Sequence, residues 1–120
     1  MRWLLCLCLC GCAEIPREEY AYQGIHLVDT LQTIQIARSD CFSERDDRYA
    51  WAIGEHPSVA GAVAWGVALA AGHGLITVWM RDHDWPRWAQ QSWQAISFGG
   101  AVYDVKNNFD QGIGPFDSDC

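Results

Sequence analysis

Residues 58–80 read SVAGAVAWGVALAAGHGLITVWM, twenty-three positions with no formally charged side chain apart from the titratable His73. A helix of that length reaches across a bilayer, which needs about 20 apolar residues. Composition pulls both ways. Val59, Val63, Val67, Leu69, Leu75, Ile76 and Val78 favour insertion by roughly −2 to −4 kcal/mol on the insertion scale, while Ser58, Gly61, Gly66, Gly72, His73, Gly74 and Thr77 oppose it. The segment predicts either a membrane-spanning helix or the central helix of a bundle, apolar all round because it is covered all round.

Small residues recur along it at every fourth position. Ala62, Gly66, Ala70 and Gly74 form one stripe and Ala60, Ala64, Ala68 and Gly72 a neighbouring one. Both permit close approach of another helix, in lipid or in water. They are the expected contact surface for a partner, whether an envelope protein or a second copy of the chain. A histidine in such a stripe is more often a hydrogen-bonded core residue than a ligand, and His73 is read that way.

Two further helices flank this one. The first is expected from about Glu18 to Arg38, just after Pro16, with Ile25, Val28, Leu31 and Ile36 as apolar positions and Arg38 suiting its last turn. Its other side is polar: His26, Asp29, Thr30 and Thr33 fall at steps of three and four, with Gln32 at the edge. A carboxylate between Val28 and Leu31 either faces water or is paired inside the bundle, with Lys106, the only lysine, or with hydroxyls and amides on a facing helix. Such a pair would fix helix register. The last helix is expected from an Asp84 cap, with Trp85 and Pro86 in its first turn, to about Asn108. Trp85, Ala89, Ile96 and Tyr103 give it a broadly aromatic face. Ser97, Gly100, Ala101 and Asp104 share another, whose small members let the acidic one approach a second helix. Trp79, Trp85, Trp88 and Trp93 suit an interfacial belt or the bulk of a small core. Between the first two helices, residues 39–57 read as a charged, solvated connection holding a short helical turn at most. After Phe109 the acidic tail reads as irregular.

The predicted fold class is therefore all-α, a three-helix bundle or hairpin around one strongly hydrophobic helix that is long enough to span a membrane.

The start of the chain, Met1-Arg2-Trp3 followed by apolar residues to Leu9-Cys10-Gly11-Cys12, has the layout of a secretory signal. Its end resembles the lipobox of bacterial lipoproteins, at which Cys12 is acylated and the leader removed before it. Cys10 departs from that pattern, where Ala, Ser, Thr or Val is usual. An uncleaved apolar terminus, or ordinary cleavage near Ala13, is the plainer alternative. The resemblance implies residues 1–11 as signal peptide, 12–17 as a lipidated linker, 18–108 as one helical domain and 109–120 as tail. It also implies a lipid-anchored, periplasm-facing protein of the bacterial envelope. Ala13 stands where Asp would signal inner-membrane retention, which favours the outer membrane. Cys6, Cys8 and Cys10 would leave with the leader, so Cys41 and Cys120 would remain as thiols, either unpaired or joined by a disulfide in an oxidising compartment.

Loss of residues 1–11 removes Arg2 and leaves seven Lys and Arg against fifteen Asp and Glu, a net charge of −8. That surface lacks the basic footprint nucleic acid requires. The bilayer is the expected partner, reached through the acyl anchor rather than by charge.

Chemistry has little support in the spacing. His26, Asp29, His73 and Asp104, with Glu55 and His56, are the right residue types for a metal or an acid and base, but there is no HExxH, nucleophile elbow or phosphate loop, and no Cys/His cluster at zinc spacing. The expectation is a non-catalytic protein without cofactor or metal; the alternative is a small membrane enzyme or metal-binding protein using the polar faces of Asp29 and Asp104.

Asp29, Gln32, Thr33, Ile36 and Ala37, then Gly54, His56, Pro57 and Ser58, then Trp88 and Asn107, resemble a pattern in small helical bacterial and phage proteins without an assigned activity. Their Glu-x-Asn-Pro turn is missing here, with Glu44 as its only remnant. The likeness, over about residues 24–114, implies architecture and membrane association and points to Asp29, Thr33, His56 and Asn107 as positions of interest.

Overall fold

The computed structural model describes residues 15–44 and 47–118. Four helices follow one another: α1 (Arg17–Arg38), α2 (Asp47–Ile53), α3 (Val59–Asp82) and α4 (Arg87–Asp110). The fold is a bundle of three long helices, and α3 is long and apolar enough to cross a membrane. The connection between α1 and α3 contributes α2, a seven-residue helix where the sequence suggested a turn at most. It ends at Gly54, whose φ of 86° is the left-handed C-terminal cap that glycine adopts without strain. Tyr49 on α2 meets Trp65 on α3 edge to face, ring centroids 6.3 Å apart.

α1 lies between the other two. It packs along both α3 and α4, whereas α3 and α4 touch each other much less. Gln23 meets Ala70 and His26 meets Gly66, so α1 runs antiparallel to α3. Glu19 meets Gln94 and Asp29 meets Asn108, so it runs parallel to α4. The buried positions of α1, Glu19, Tyr22, His26, Asp29, Thr33 and Ile36, follow steps of three and four. This is the seven-residue seam of packed helices, here filled mainly with polar groups.

That inversion runs through the molecule. Among the described residues, eleven polar or charged side chains are buried against seven apolar ones. Meanwhile Val67 (62 % exposed) and Leu75 (66 %) on α3, and Ile96 (76 %) on α4, point outward. Trp85 and Tyr103, expected with Ile96 on the broadly aromatic face of the last helix, are exposed too. The apolar positions of α1 fare no better than half-buried, apart from Ile36. The cause is geometric: α1 turns its polar stripe toward both neighbours, and apolar residues on the other sides of each helix are left outside.

The two small-residue stripes of α3 part company. Ala62 and Gly66 are buried and Ala70 and Gly74 half-buried, all toward α1, while Ala60, Ala64 and Ala68 are exposed. A Cβ built on Gly66 would lie 2.6 Å from the Thr30 hydroxyl, so that glycine sets the α1–α3 distance.

Ser58 caps α3, its hydroxyl accepting the Gly61 N–H at 3.0 Å. Asp84 does not cap α4. The N-cap is Pro86, without a side-chain bond, and Asp84 instead terminates α3 at φ 52°. Its N–H reaches the Arg81 carbonyl and that of Trp85 the Met80 carbonyl, the Schellman pattern that usually takes glycine. Asp tolerates this conformation better than most residues but at a cost. Asp84→Gly is expected to stabilise the protein by about 0.5–1 kcal/mol, read as a higher midpoint in thermal unfolding by circular dichroism; an unchanged or lower midpoint would contradict the assignment.

At the other end α4 continues to Asp110 and closes with a second Schellman turn, Ile113 N–H to Asn108 carbonyl and Gly112 N–H to Phe109 carbonyl, with Gly112 at φ 83°. The segment after it is not wholly irregular. Ile113 is fully buried and forms an isolated antiparallel bridge with Ser118, held because Gln32 donates to its carbonyl at 2.9 Å.

Candidate functional site

The interior polar groups form two clusters along α1. At the level of its first turn Glu19 gathers side chains from all three long helices. Gln23 and His73 Nδ1 meet Oε1 at 2.7 and 3.1 Å, and Thr77 and Gln94 donate to Oε2 at 2.7 and 3.0 Å. Four partners use the roughly four lone-pair sites a carboxylate offers, an arrangement built for the acceptor-only ionised form. Glu19 is 4 % exposed. Trp93 Nε1 and the Gln94 amide both donate to the Thr77 hydroxyl, which closes the network.

His73 is held on three sides. Its ring is stacked between Tyr22 (centroids 3.6 Å apart) and Trp93 (4.5 Å), and Nδ1 is engaged by Glu19. Nδ1 therefore carries the proton toward the carboxylate and Nε2 presents a lone pair. Nε2 is buried with no hydrogen-bond partner.

Two turns beyond Glu19, His26 donates from Nε2 to the Gly66 carbonyl at 2.9 Å. Beyond it lies the second cluster. Asn108 donates to Asp29 Oδ1 and to Gln32 Oε1 at 3.2 and 3.3 Å, and Gln32 donates to the carbonyls of Val105 and Ile113. Thr33 bonds back to the Asp29 carbonyl within α1.

Of the residues singled out in the sequence, His26, Asp29, Thr33, His73 and Asp104 are buried. His26, His73 and Asp104 line one cleft, while Asp29 and Thr33 lie farther along α1; among the described residues no three His, Cys, Asp or Glu side chains come together as metal ligands. His56 is exposed on the connection, and Asn107 is exposed on α4. The interior position belongs to Asn108, four residues after Asp104 and thus above it on the helix face, while Asn107 is turned away. Lys106 does not meet Asp29; it pairs with Asp110 at the surface. Cys41 is disulfide-bonded, and the other cysteines, Cys12 and Cys120 included, lie outside the described residues, as does the leader.

Beside His73 the splaying of α3 from α4 leaves a cleft of about 490 Å³. Its floor is Tyr22 and His26; Trp65 and His73 stand on one wall and Trp93 and Asp104 on the other. The face predicted for Ser97, Gly100, Ala101 and Asp104 lines it throughout.

No family model, curated protein or solved structure matches the chain.

Sequence reasoning missed Glu19, Tyr22, Thr77 and Gln94. The signal was present: Glu19 and Tyr22 extend the step pattern of His26, Asp29 and Thr33 by one heptad toward the N-terminus.

Proposed function

We propose that this chain is a non-catalytic helical module of the bacterial envelope, acylated at Cys12, with the outer surfaces of α3 and α4 laid in lipid. The observation that carries the reading is the inversion of polarity. A helix bundle in water gains its stability by covering large aliphatic and aromatic side chains. This one covers carboxylates, amides and imidazoles and leaves Val, Leu, Ile and Trp outside. In hydrocarbon the balance reverses, because polar side chains there face the bundle interior and pair with one another. Three tryptophans, Trp79, Trp85 and Trp88, are exposed around the α3–α4 turn, where a membrane–water interface would favour them. The Glu19 network supports a structural role over catalysis, since all four acceptor sites of its carboxylate are already occupied by the protein's own donors.

Carbonate extraction of membranes carrying wild type and Cys12→Ala, with palmitate labelling, tests this. The wild type is expected to label and stay in the pellet; the variant is expected to lose the label and still stay, held by its helices. Release of the variant would leave the anchor alone as the attachment, and an unlabelled wild type in the soluble fraction would overturn the reading.

A further inference from the structure

The geometry points to the cleft between α3 and α4 as a binding site for an elongated, largely apolar molecule carrying a hydroxyl group, an alcohol or a phenol. Four observations carry this. The cleft, at about 490 Å³, falls within the range of about 300 to 1,000 Å³ usual for small-molecule sites. Its lining is mostly aromatic rings and small or aliphatic side chains, with His26, His73, Ser97 and Asp104 as polar members. His73, 5 % exposed, lines it with both ring faces and Nδ1 committed, so the one group left to satisfy is the Nε2 lone pair, which requires a donor. Trp65, two helical turns earlier on the same wall, has a buried Nε1–H without a partner, which requires an acceptor.

Buried polar atoms without partners are uncommon and call for an explanation. The two here differ in kind and stand eight residues apart, about 12 Å along the helix. No single small group reaches both. A hydroxyl at one end satisfies Nε2, and an oxygen farther along an apolar body satisfies the indole. Between them Gly72 and Gly100 leave open space, since a Cβ built on either meets nothing within 4 Å. A hydroxylated membrane lipid and a free phenolic solute share this chemistry. The assignment stands independently of the membrane reading, because the cleft exists in the bundle whatever surrounds it.

The test uses the full chain in detergent micelles, with 4-heptylphenol as probe and 4-heptylanisole, its methyl ether, as the matched compound that cannot donate. Trp65 and Trp93 line the cleft, so intrinsic fluorescence reports occupancy. Saturable binding of the phenol is expected, with the ether about tenfold weaker. Gly100→Leu, which fills the cleft and leaves the Glu19 network untouched, is expected to abolish binding at unchanged helicity. Solvent extraction and mass spectrometry of the purified protein separate the sources: a stoichiometric hydroxylated lipid identifies the bilayer, and its absence alongside phenol binding identifies a solute. Equal binding of phenol and ether, or no saturable signal, would overturn the assignment. So would a wild-type dimer that Gly100→Leu converts to monomer, which would give the cleft to a second copy.

Discussion

Glu19→Ala is expected to destabilise the folded bundle by about 2–5 kcal/mol, the cost of the donors it orphans less the relief of a desolvated charge. The substitution leaves Gln23, His73, Thr77 and Gln94 facing a void, and each buried donor without an acceptor costs about 1–3 kcal/mol. The loss falls on all three long helices at once, because the carboxylate comes from α1, His73 and Thr77 from α3, and Gln94 from α4. Glu19→Gln should cost less, about 1–2 kcal/mol. Its amide oxygen can still accept from Thr77 and Gln94, and its NH2 can donate to His73 Nδ1 once the imidazole changes tautomer. Glu18→Ala, one residue away and exposed, should stay within about 0.5 kcal/mol of wild type. Denaturant titration of micellar protein followed at 222 nm checks the series, and equal effects at positions 18 and 19 would remove the carboxylate from the centre of the fold.

The second large effect is expected at Gly66. Gly66→Val places a branched side chain where even a Cβ would lie 2.6 Å from the Thr30 hydroxyl. α1 must then withdraw, and the His26 bond to the Gly66 carbonyl goes with it. Overpacking of this kind costs about 1–3 kcal/mol, and the lost buried hydrogen bond adds about 1 kcal/mol. Gly72→Ala on the same helix is the counterpart. Open space receives its methyl, and replacing a mid-helix glycine by alanine is expected to stabilise by about 0.5–1 kcal/mol. Opposite signs six residues apart would establish which side of α3 meets α1, and like signs would refute the packing.

These positions also show how far the sequence could be read. The three long helices and α3 as the apolar one are legible because length, caps and charge-free stretches are local properties. Which side faces inward is not. The usual rule buries Ile25, Val28 and Leu31, and here it gives way to a seam of Glu19, Tyr22, His26, Asp29 and Thr33, because the donors and acceptors that satisfy that seam sit on other helices. His73 could be placed in the interior from its apolar surroundings, but its partner lies 54 residues away and no spacing announces it. Asn107 and Asn108 are adjacent and chemically identical. The rotation of α4 decides between them: Asn108 stands one turn beyond Asp104 on the buried face and so turns toward Asp29.

The length of α1 makes a topological ruler of two cysteines. Arg17 and Arg38 are the ends of a 22-residue rod of about 33 Å; Cys12 lies five residues before one end and Cys41 three beyond the other. Acylation happens on the exported face, and disulfides persist in oxidising compartments. A rod standing upright through the bilayer would consign the two thiols to opposite compartments, whereas one lying flat keeps them together. Finding both modifications on a single molecule would therefore mean a bundle that floats half-submerged in one leaflet.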